Sequence, residues 1–361
     1  MKYDVLVVGQ GLAGTALAWS LIRAGKSVLV IDRANPGSAS RAAAGLYNPI
    51  TGPNLMLAWE AHRFFPDIEP FYREIEKEAG ESFLHPMPIY RPFSSAAQQN
   101  DWSGRWSDPR YSPFIASFSA FSKGDPVLRD PWGGLTLAGG GFLDLPLMLS
   151  CFRSYLAKGG MMLDEHFDDS HLTVGSGNVR YKAHRAERIV FCTGHRMPPA
   201  SRFGWLPLKP LKGETLLLKV DADIETIYNR GCFIIPLARG LCRAGSTYNR
   251  NDLSTVPTEN GRSEIEKQLS NLICASYDVV GQEAGIRPAS VDRRPLLGFH
   301  PEFPVLGVFN GLGSKGVSMA PVLSGFMTRN ILEGTPIEMS VNINRFNSLY
   351  FASNSDSGEE C

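Results

Sequence analysis

Three glycines near the N-terminus are spaced for contact with a nucleotide phosphate. Gly9, Gly11 and Gly14 form a G-x-G-x-x-G pattern between an apolar run, DVLVVG, and a stretch with helical periodicity, AGTALAWSLIRAG. The first glycine of such a pattern allows a tight turn, the second lets backbone approach a pyrophosphate, and the third lets the helix pack on the strand. The helix N-terminus then presents N–H groups to the anion. The spacing predicts a dinucleotide-binding βαβ unit.

A carboxylate stands where such a unit binds ribose. The second apolar run, SVLVID, ends in Asp32, which is placed to accept hydrogen bonds from adenosine hydroxyls. Strand, glycines, helix, strand and acid in this order are more specific than the glycines alone. The alternative is a flavodoxin-like turn without a ligand. Cofactor contacts are predicted at Gly9, Gly11, Leu12, Ala13, Gly14, Asp32 and Arg33.

Length and charge limit the classes of function. A chain of 361 residues exceeds the usual single core, which predicts two domains. Lys plus Arg and Asp plus Glu balance at 36 each, so net charge offers no footprint for nucleic acid or an anionic membrane. No apolar run reaches the roughly 20 residues of a membrane span. The six cysteines and seven histidines are dispersed, which predicts no metal site, no disulfide framework and a cytoplasmic location.

The elements that must position these residues alternate along the chain. Helical periodicity covers residues 57–80, 141–160 and 263–277, and strand-like runs include FSKGDPVLRD at 121–130 and RAERIVFCTG at 185–194. The small-residue stretch at 35–52 is predicted as an extended loop. A second strand, glycine turn and helix follow at 305–334, and the polar end at 353–361 is predicted to be disordered.

This order predicts an α/β fold in which two domains are interleaved. A Rossmann-like domain would comprise residues 1–78, 138–212 and 281–335. A substrate domain, a mixed β-sheet plus helix, would comprise 79–137 and 213–280. Residues 336–361 would form a C-terminal tail.

The chain resembles the D-amino-acid oxidase and glycine oxidase family of FAD-dependent oxidoreductases, which includes sarcosine oxidases. The resemblance covers nearly the whole chain and rests on the strings SRAAAGLYNP, FLDLPLM, VFCTG, PLKGE, AGIRPASVDRRPLLG and GLGSKGVSMAP. The last string is most similar to the FAD domain of the bifunctional enzyme that matures the wobble uridine of tRNA. The resemblance implies a D-amino-acid-oxidase-like fold with FAD as the cofactor.

The resemblance also implies further FAD contacts. Similar small-residue loops in the family lie along the isoalloxazine ring, although such a loop could instead pack a helix on a sheet. Arg41 departs from the small or hydroxyl residue that is commoner at its position, and is a candidate phosphate, flavin or substrate contact. The additional FAD contacts implied are Ser40, Arg41, Ala43, Ala44, Gly45, Leu46, Thr193, Gly194, Arg287, Gly311, Gly313, Ser314, Lys315 and Gly316.

Three residues are predicted to be catalytic. Lys315, at a helix N-terminus, would stabilise the anionic reduced flavin, and the alternative is an exposed lysine. Arg287 stands where the family keeps the arginine that grips a substrate carboxylate, and the alternative is an ion pair with Asp292. Tyr248 is expected to line the pocket. Tyr47 and Asn48 are further candidates, and all three could be ordinary core or turn residues.

The function implied is oxidation of the C–N bond of a small amino acid or N-substituted glycine. Hydride transfer to flavin N5 needs no catalytic base if the neutral amine is held correctly, and O₂ would reoxidise the flavin to give H₂O₂. One alternative is a stand-alone enzyme that acts on the carboxymethylaminomethyl uridine of tRNA. Another is a catalytically silent FAD-binding assembly protein. The specific amine, the electron acceptor, covalent attachment of FAD and the oligomeric state stay open.

Overall fold

The structure is a computed structural model that describes residues 1–35, 37–196 and 202–355. Its helices within these residues are α1 Leu12–Arg23, α2 Ala39–Ala42, α3 Ala61–Phe64, α4 Ile68–Ala79, α5 Ala96–Arg105, α6 Leu145–Lys158, α7 Glu259–Leu272, α8 Gly316–Glu333 and α9 Asn347–Ser355.

The strands over the same residues are β1 Lys2–Val8, β2 Val28–Ile31, β3 Leu46–Tyr47, β4 Ile50–Thr51, β5 Met56–Leu57, β6 Leu84–Pro86, β7 Ile89–Pro92, β8 Ile115–Ser119, β9 Gly134–Leu137, β10 Gly141–Leu143, β11 Met162–Leu163, β12 Leu172–Val174, β13 Val179–Tyr181, β14 His184–Phe191, β15 Leu211–Val220, β16 Ile227–Arg230, β17 Cys232–Pro236, β18 Leu241–Gly245, β19 Tyr277–Arg287, β20 Leu296–Phe299 and β21 Leu306–Asn310.

The first sheet carries the glycine motif. Its order is β11-β2-β1-β14-β13-β12, and β21 pairs with β14 and with β20. The pairs that join β1 to β2 and β14, β11 to β2 and β14 to β21 are parallel. Parallel strands covered by helices are apolar on both faces, as residues 5–8 of β1 are, at no more than 3% exposure each. The carboxyl ends of these strands therefore meet at one edge.

The second sheet has the order β19-β15-β18-β17-β16-β7-β9-β8 and is antiparallel except where β7 meets β16. Helix α7 covers it through Ile265, Leu269 and Leu272, which are fully buried. Together the two sheets confirm the predicted α/β fold class. Strand β19 stays in the second sheet up to Arg287, past the predicted change of domain at residue 281, and the domain limits stay a prediction.

Several predicted elements differ from the structure. The strand predicted at 121–130 is wrong, since this segment forms turns in which the Asp130 carboxylate accepts from Ser122 Oγ and the Lys123 N–H. The long helix predicted at 57–80 begins only at Ala61 and is divided by a 3₁₀ turn, Phe65–Asp67, that contains Pro66, which lacks a backbone donor.

The loop predicted at 35–52 and the tail predicted at 336–361 both contain regular secondary structure. The loop predicted at 35–52 includes the short helix α2 and strands β3 and β4. Within the predicted C-terminal tail, Ile337, Val341 and Ile343 are buried and α9 follows. Of the stretch predicted to be disordered, residues 356–361 lie outside the described residues. Across the described part of the chain, every helix is too short or too polar to cross a bilayer.

Two glycines give a matched test of packing. We expect Gly14→Ala to lower the free energy of unfolding by about 1–3 kcal/mol, because a Cβ there would lie 1.8 Å from the Gly9 carbonyl oxygen. Gly104, in the exposed part of α5, has nothing within 4 Å of the corresponding position. Gly104→Ala should raise stability by about 0.5–1 kcal/mol through helix propensity. Urea unfolding measures both, and equal effects would contradict the packing role of Gly14.

Candidate active site

A cavity of about 890 Å³ is lined by residues from both sheets. This volume lies in the range typical of small-molecule and cofactor sites, about 300–1,000 Å³. Most of the residues singled out from the sequence line it: Gly9, Gly11, Leu12, Ala13, Asp32, Arg33, Ser40, Ala43, Ala44, Gly45, Leu46, Tyr47, Asn48, Thr193, Gly194, Tyr248, Arg287, Gly313, Ser314, Lys315 and Gly316.

The glycine turn after β1 has the geometry its sequence predicts. Gly9 has φ +99°, and a Cβ there would lie 2.6 Å from the carbonyl oxygen of Cys192. Gly11 precedes the first residue of α1, and the Leu12 N–H donates to Ser40 Oγ at 3.1 Å. The N-terminus of α1 therefore faces the cavity, where its partial positive charge favours an anion.

Three of the predicted contacts do not line the cavity. Gly14 packs α1 against the turn at Gly9, as its position in the motif requires. Gly311 has φ +74° and lies against Leu296, so it shapes the turn after β21. Arg41 lies on α2 between the lining residues Ser40 and Ala42 but does not itself line the cavity, and its contact stays a prediction.

Asp32, at the end of β2, lines the cavity and is held by Arg153. Arg153 Nη1 lies 3.0 Å from Asp32 Oδ2, and Arg153 Nη2 donates to the Asp32 carbonyl and to Asp164 Oδ1. Sequence reasoning missed this arginine, and it missed the lining residues at 165–167. Residues 165–167 reach the site because β11, which precedes them, pairs with β2 in parallel, and no local sequence pattern reveals this pairing.

The small-residue loop has two functions. Ala43, Ala44 and Gly45 line the cavity. Ala42 packs on β19, where a Cβ at Gly285 would lie 2.9 Å from the Ala42 Cβ. Ala42 also lines the cavity, so the loop packs against β19 and faces the cavity at the same time, and its contact with a flat ligand stays a prediction.

Arg287 ends β19 and extends its guanidinium across Gly213 of β15. A Cβ on Gly213 would lie 2.0 Å from Arg287 Nη2, so only glycine leaves room for this side chain. Nη1 donates to the Thr247 carbonyl at 3.0 Å and Nη2 to Ser246 Oγ at 2.8 Å. Partial burial lowers the pKa of Arg287.

The ion pair considered between Arg287 and Asp292 does not form. Asp292 Oδ2 lies 2.8 Å from the Nε of Arg345 instead. Within residues 1–35, 37–196 and 202–355, Arg287 has no carboxylate partner. Its neighbours in the cavity are neutral oxygens and the ring of Tyr248, whose centroid is 4.6 Å from the guanidinium carbon. A carboxylate ligand would supply the missing charge.

Lys315 occupies the position before α8 and lines the cavity beside β4. Its Nζ lies 3.4 Å from Thr51 Oγ1. Burial, and then the charge of Arg294, lower the pKa of Lys315. It is therefore not the solvent-exposed lysine considered as an alternative. The N-termini of α1 and α8 and the ammonium group of Lys315 all contribute positive potential to one cavity.

The three further candidates differ in exposure, since Tyr248 is exposed whereas Tyr47 and Asn48 are buried. Tyr248 is 63% exposed and covers Arg287 at the edge of the cavity. Tyr47 is buried, its hydroxyl lies against Gly141, and burial raises its pKa. Asn48 Oδ1 accepts from the Ile50 N–H at 3.0 Å, which makes it a turn residue. Tyr248 thus contacts Arg287, another side chain predicted to be catalytic.

A buried cluster behind Arg287 explains the string PLKGE. The fully buried Lys212 donates from Nζ to Asp252 Oδ2 and to the Val256 carbonyl, each at 2.5 Å. Glu214 accepts from the backbone N–H and hydroxyl of Thr258 at 2.8 and 2.7 Å. These bonds anchor residues 247–258, the loop that carries Tyr248. Sequence reasoning noted the string but assigned it no function.

Arg91 is a lining residue that sequence reasoning missed. It is 4% exposed and donates to the carbonyls of Ile50 at 2.6 Å and Gly52 at 2.9 Å. Burial lowers the pKa of Arg91 to about 10. The two bonds hold the loop in which Thr51 contacts Lys315. No signal marks Arg91 in the sequence, because its partners lie about forty positions away and bind through backbone oxygens.

The residues described contain no group of three or more His, Cys, Asp or Glu side chains able to hold a metal ion. The cysteines described, Cys151, Cys192, Cys232, Cys242 and Cys274, are free thiols.

The sequence of this chain is similar to those of two groups of known proteins. Glycine oxidase from Geobacillus kaustophilus is 23% identical over 92% of this chain and 93% of its own. A tRNA 5-methylaminomethyl-2-thiouridine biosynthesis bifunctional protein, MnmC of Hahella chejuensis, is 24% identical over 92% of this chain, which spans 57% of that protein.

Solved structures agree with the sequence comparisons. The crystal structure of glycine oxidase from Geobacillus kaustophilus superposes with a TM-score of 0.75 at 21% identity, over 96% of this chain and 98% of that one. Iminodiacetate oxidase from Chelativorans sp. BNC1 gives 0.72 at 20% identity, over 95% and 98%. The sequence model of the family described as "FAD dependent oxidoreductase" (DAO) matches residues 4–329. The chain therefore belongs to the DAO family of FAD-dependent oxidoreductases, and its cofactor is FAD.

Proposed function

We propose that this oxidoreductase removes two electrons from the C–N bond of a small amino acid or N-substituted glycine. The observation that carries the proposal is Arg287, a cation that lines the cavity without a carboxylate partner among the residues described. A guanidinium binds a carboxylate through two parallel hydrogen bonds and fixes its orientation. The names of the glycine oxidase relatives point to the same class of substrate.

The lining of the cavity fits FAD. The N-terminus of α1 at Gly11 offers backbone N–H groups for a pyrophosphate, and Asp32 at the end of β2 offers a carboxylate for ribose hydroxyls. Ala43, Ala44 and Gly45 present little side chain, as close approach of a flat ring requires. When bound, FAD supplies the acceptor for a hydride.

The residues of this chain would act by positioning. Arg287 holds the carboxylate, so the α-carbon of the neutral amine has a fixed place in the cavity, and orientation supplies most of the rate acceleration. The α-C–H hydrogen leaves with its electron pair, the nitrogen lone pair forms C=N, and water hydrolyses the imine to an oxo acid and an amine. O₂ accepts the two electrons and two protons to give H₂O₂.

Two observations favour this proposal over the alternatives. Arg287 and Lys315 both line the cavity, whereas a silent binding protein need not keep either of them there. The equal numbers of basic and acidic residues favour a small amine over tRNA, because binding several phosphates calls for a basic face.

The test is anaerobic bleaching of the flavin by a panel of amines, followed by readmission of air. We expect Arg287→Ala to lower kcat/KM for a carboxylate-bearing amine by about tenfold to a hundredfold, the equivalent of 1.5–3 kcal/mol for a charge-assisted hydrogen bond. Arg287→Lys keeps the charge but loses the pair of parallel hydrogen bonds. Its kcat/KM should lie between that of wild type and that of Arg287→Ala. The matching amine without a carboxylate is the control. Equal losses with both substrates would mean that Arg287 is structural.

Gly213→Ala should raise KM for the carboxylate-bearing amine, as loss of the Arg287 side chain would, although Arg287 itself is retained. The added Cβ would lie 2.0 Å from Nη2 and displace the guanidinium. Gly281→Ala, on the paired strand β19, is the matched control, because its Cβ would lie 3.4 Å from the Leu217 Cβ, an ordinary contact. The measurement is KM for the carboxylate-bearing amine. A Gly213→Ala enzyme with unchanged KM would show that the position of Arg287 is not critical.

Lys315→Met should lower the midpoint potential of the bound flavin, because a cation that favours its anionic reduced form is lost. A fall of about 30 mV corresponds to about 1.4 kcal/mol for a two-electron couple. Because burial lowers the pKa of Lys315, its charge and its effect on the flavin potential should be lost as the pH rises, at a lower pH than for an ordinary lysine. Lys158→Met, at the exposed end of α6, is the control. Equal potentials in both variants would contradict an electrostatic role for Lys315.

A further inference from the structure

A second cavity, of about 630 Å³, adjoins the first. Pro53, Arg91 and Gly231 line both, so the two spaces share a wall. The remaining walls of the second cavity come from the loop at Leu55, the strand β7, helix α5 with the residues before it, the segment that follows β8, the end of β16 and helix α7. None of the motifs recognised in the sequence contributes to it.

The second cavity is lined by cations and by no described carboxylate. Arg91, Arg129 and Arg230 all line it. Each binds only backbone oxygens among the residues described: Arg129 Nε donates to the Ile273 carbonyl at 3.3 Å, and Arg230 donates to the carbonyls of Phe93 and Asn271. Carbonyl groups orient these guanidinium groups but leave their charges without counter-ions.

One acid near Arg230, Asp130, forms no ion pair with it and compensates its charge only in part. Asp130 is 2% exposed, and its carboxylate accepts from Tyr90 Oη at 2.8 Å, Ser122 Oγ at 2.5 Å and the Lys123 N–H at 2.9 Å. Burial, opposed in part by the charge of Asp130, lowers the pKa of Arg230, and the charge of Arg129 acts in the same direction as burial. The two arginines are therefore close enough to repel each other.

Two buried polar atoms on this wall have no partner among the residues described. They are the Nε of Arg91 and the Oε1 of Gln268. An unpaired buried polar group is destabilising, and a bound polar ligand that pairs with it removes that cost. The amide of Gln268 can present its NH₂ to an anion by rotation.

We propose that the second cavity binds an anionic group, a carboxylate or phosphate, on the far end of the amine substrate. The guanidinium groups of Arg129 and Arg230 grip that group, and Arg91 separates it from the amine end at Arg287. Only the identity of the tethered amine rests on the proposed function. The affinity of the second cavity for an anion stands on its own residues.

Calorimetric titration of the holoenzyme with inorganic phosphate tests the binding site without turnover. We expect Arg129→Gln and Arg230→Gln each to weaken phosphate binding by about tenfold to a hundredfold, the range for a charge-assisted hydrogen bond. Arg180→Gln, exposed on β13 of the other sheet, should bind as wild type does. Arg287→Ala should also retain phosphate affinity. No phosphate binding by wild type, or equal binding by the Arg129 and Arg230 variants, overturns the proposal.

Melting temperature decides whether each variant is folded. If Arg230→Gln is unfolded, Arg129→Gln alone gives the answer, because Arg129 is exposed and makes only the single bond to Ile273.

Turnover measurements distinguish a carboxylate from a phosphate as the group at the far end of the substrate. The substrates are three N-substituted glycines that differ only at the far end, which carries a carboxylate, a phosphate monoester or a neutral amide. We expect Arg129→Gln to lower kcat/KM for the preferred anionic substrate by about tenfold to a hundredfold and to leave the amide unchanged. Equal losses with all three substrates overturn the proposal. If no amine is oxidised, the proposed function fails, and the phosphate titration still decides the second cavity.

Discussion

A guanidinium that is partly removed from water and has no counter-ion is the constraint on which the site depends. Taking a charge out of water costs several kcal/mol unless it is compensated, and the partners of the Arg287 guanidinium among the residues described are two carbonyls, a hydroxyl and an aromatic ring. Gly213 leaves room for the side chain, and the bonds of Lys212 and Glu214 hold the loop whose carbonyl and hydroxyl orient it.

The two sheets contribute different chemistry to the cavity. The parallel sheet brings the N-terminus of α1 and Asp32 to one edge, since the carboxyl ends of parallel strands, where the following helices begin, lie at the same edge. The N-terminus of α8 joins them because β21 pairs in parallel with β14. The second sheet contributes the side chains of Arg287 and Arg91. The first sheet thus supplies the helix N-termini, Asp32 and Lys315, and the second sheet supplies two arginine side chains.

The parts of this site that the sequence predicts are the parts with local causes. Gly9, Gly11 and Gly14 act within one turn, so their spacing predicts their geometry. The sequence did not predict the contributions of Arg153 and Arg91, because their partners are far along the chain and come close only through the pairing of strands.

Local causes also explain the wrong elements. The strand predicted at 121–130 has suitable residues, but Asp130 gathers them into turns through side-chain hydrogen bonds. Pro66 interrupts a helical pattern that is otherwise continuous.

The zero net charge conceals an uneven arrangement of charges. Several acids near the cavity are paired with arginines or lysines: Asp32 with Arg153, and Glu165 with Lys182 at 2.8 Å. Two cations without acidic partners among the residues described, Arg287 and Lys315, line the cavity itself. A balanced composition therefore excludes a broad basic surface but not a positive interior. Because interactions across a low-dielectric cavity are screened less than those at the surface, this local arrangement, rather than the total charge, determines which ligands the cavity favours.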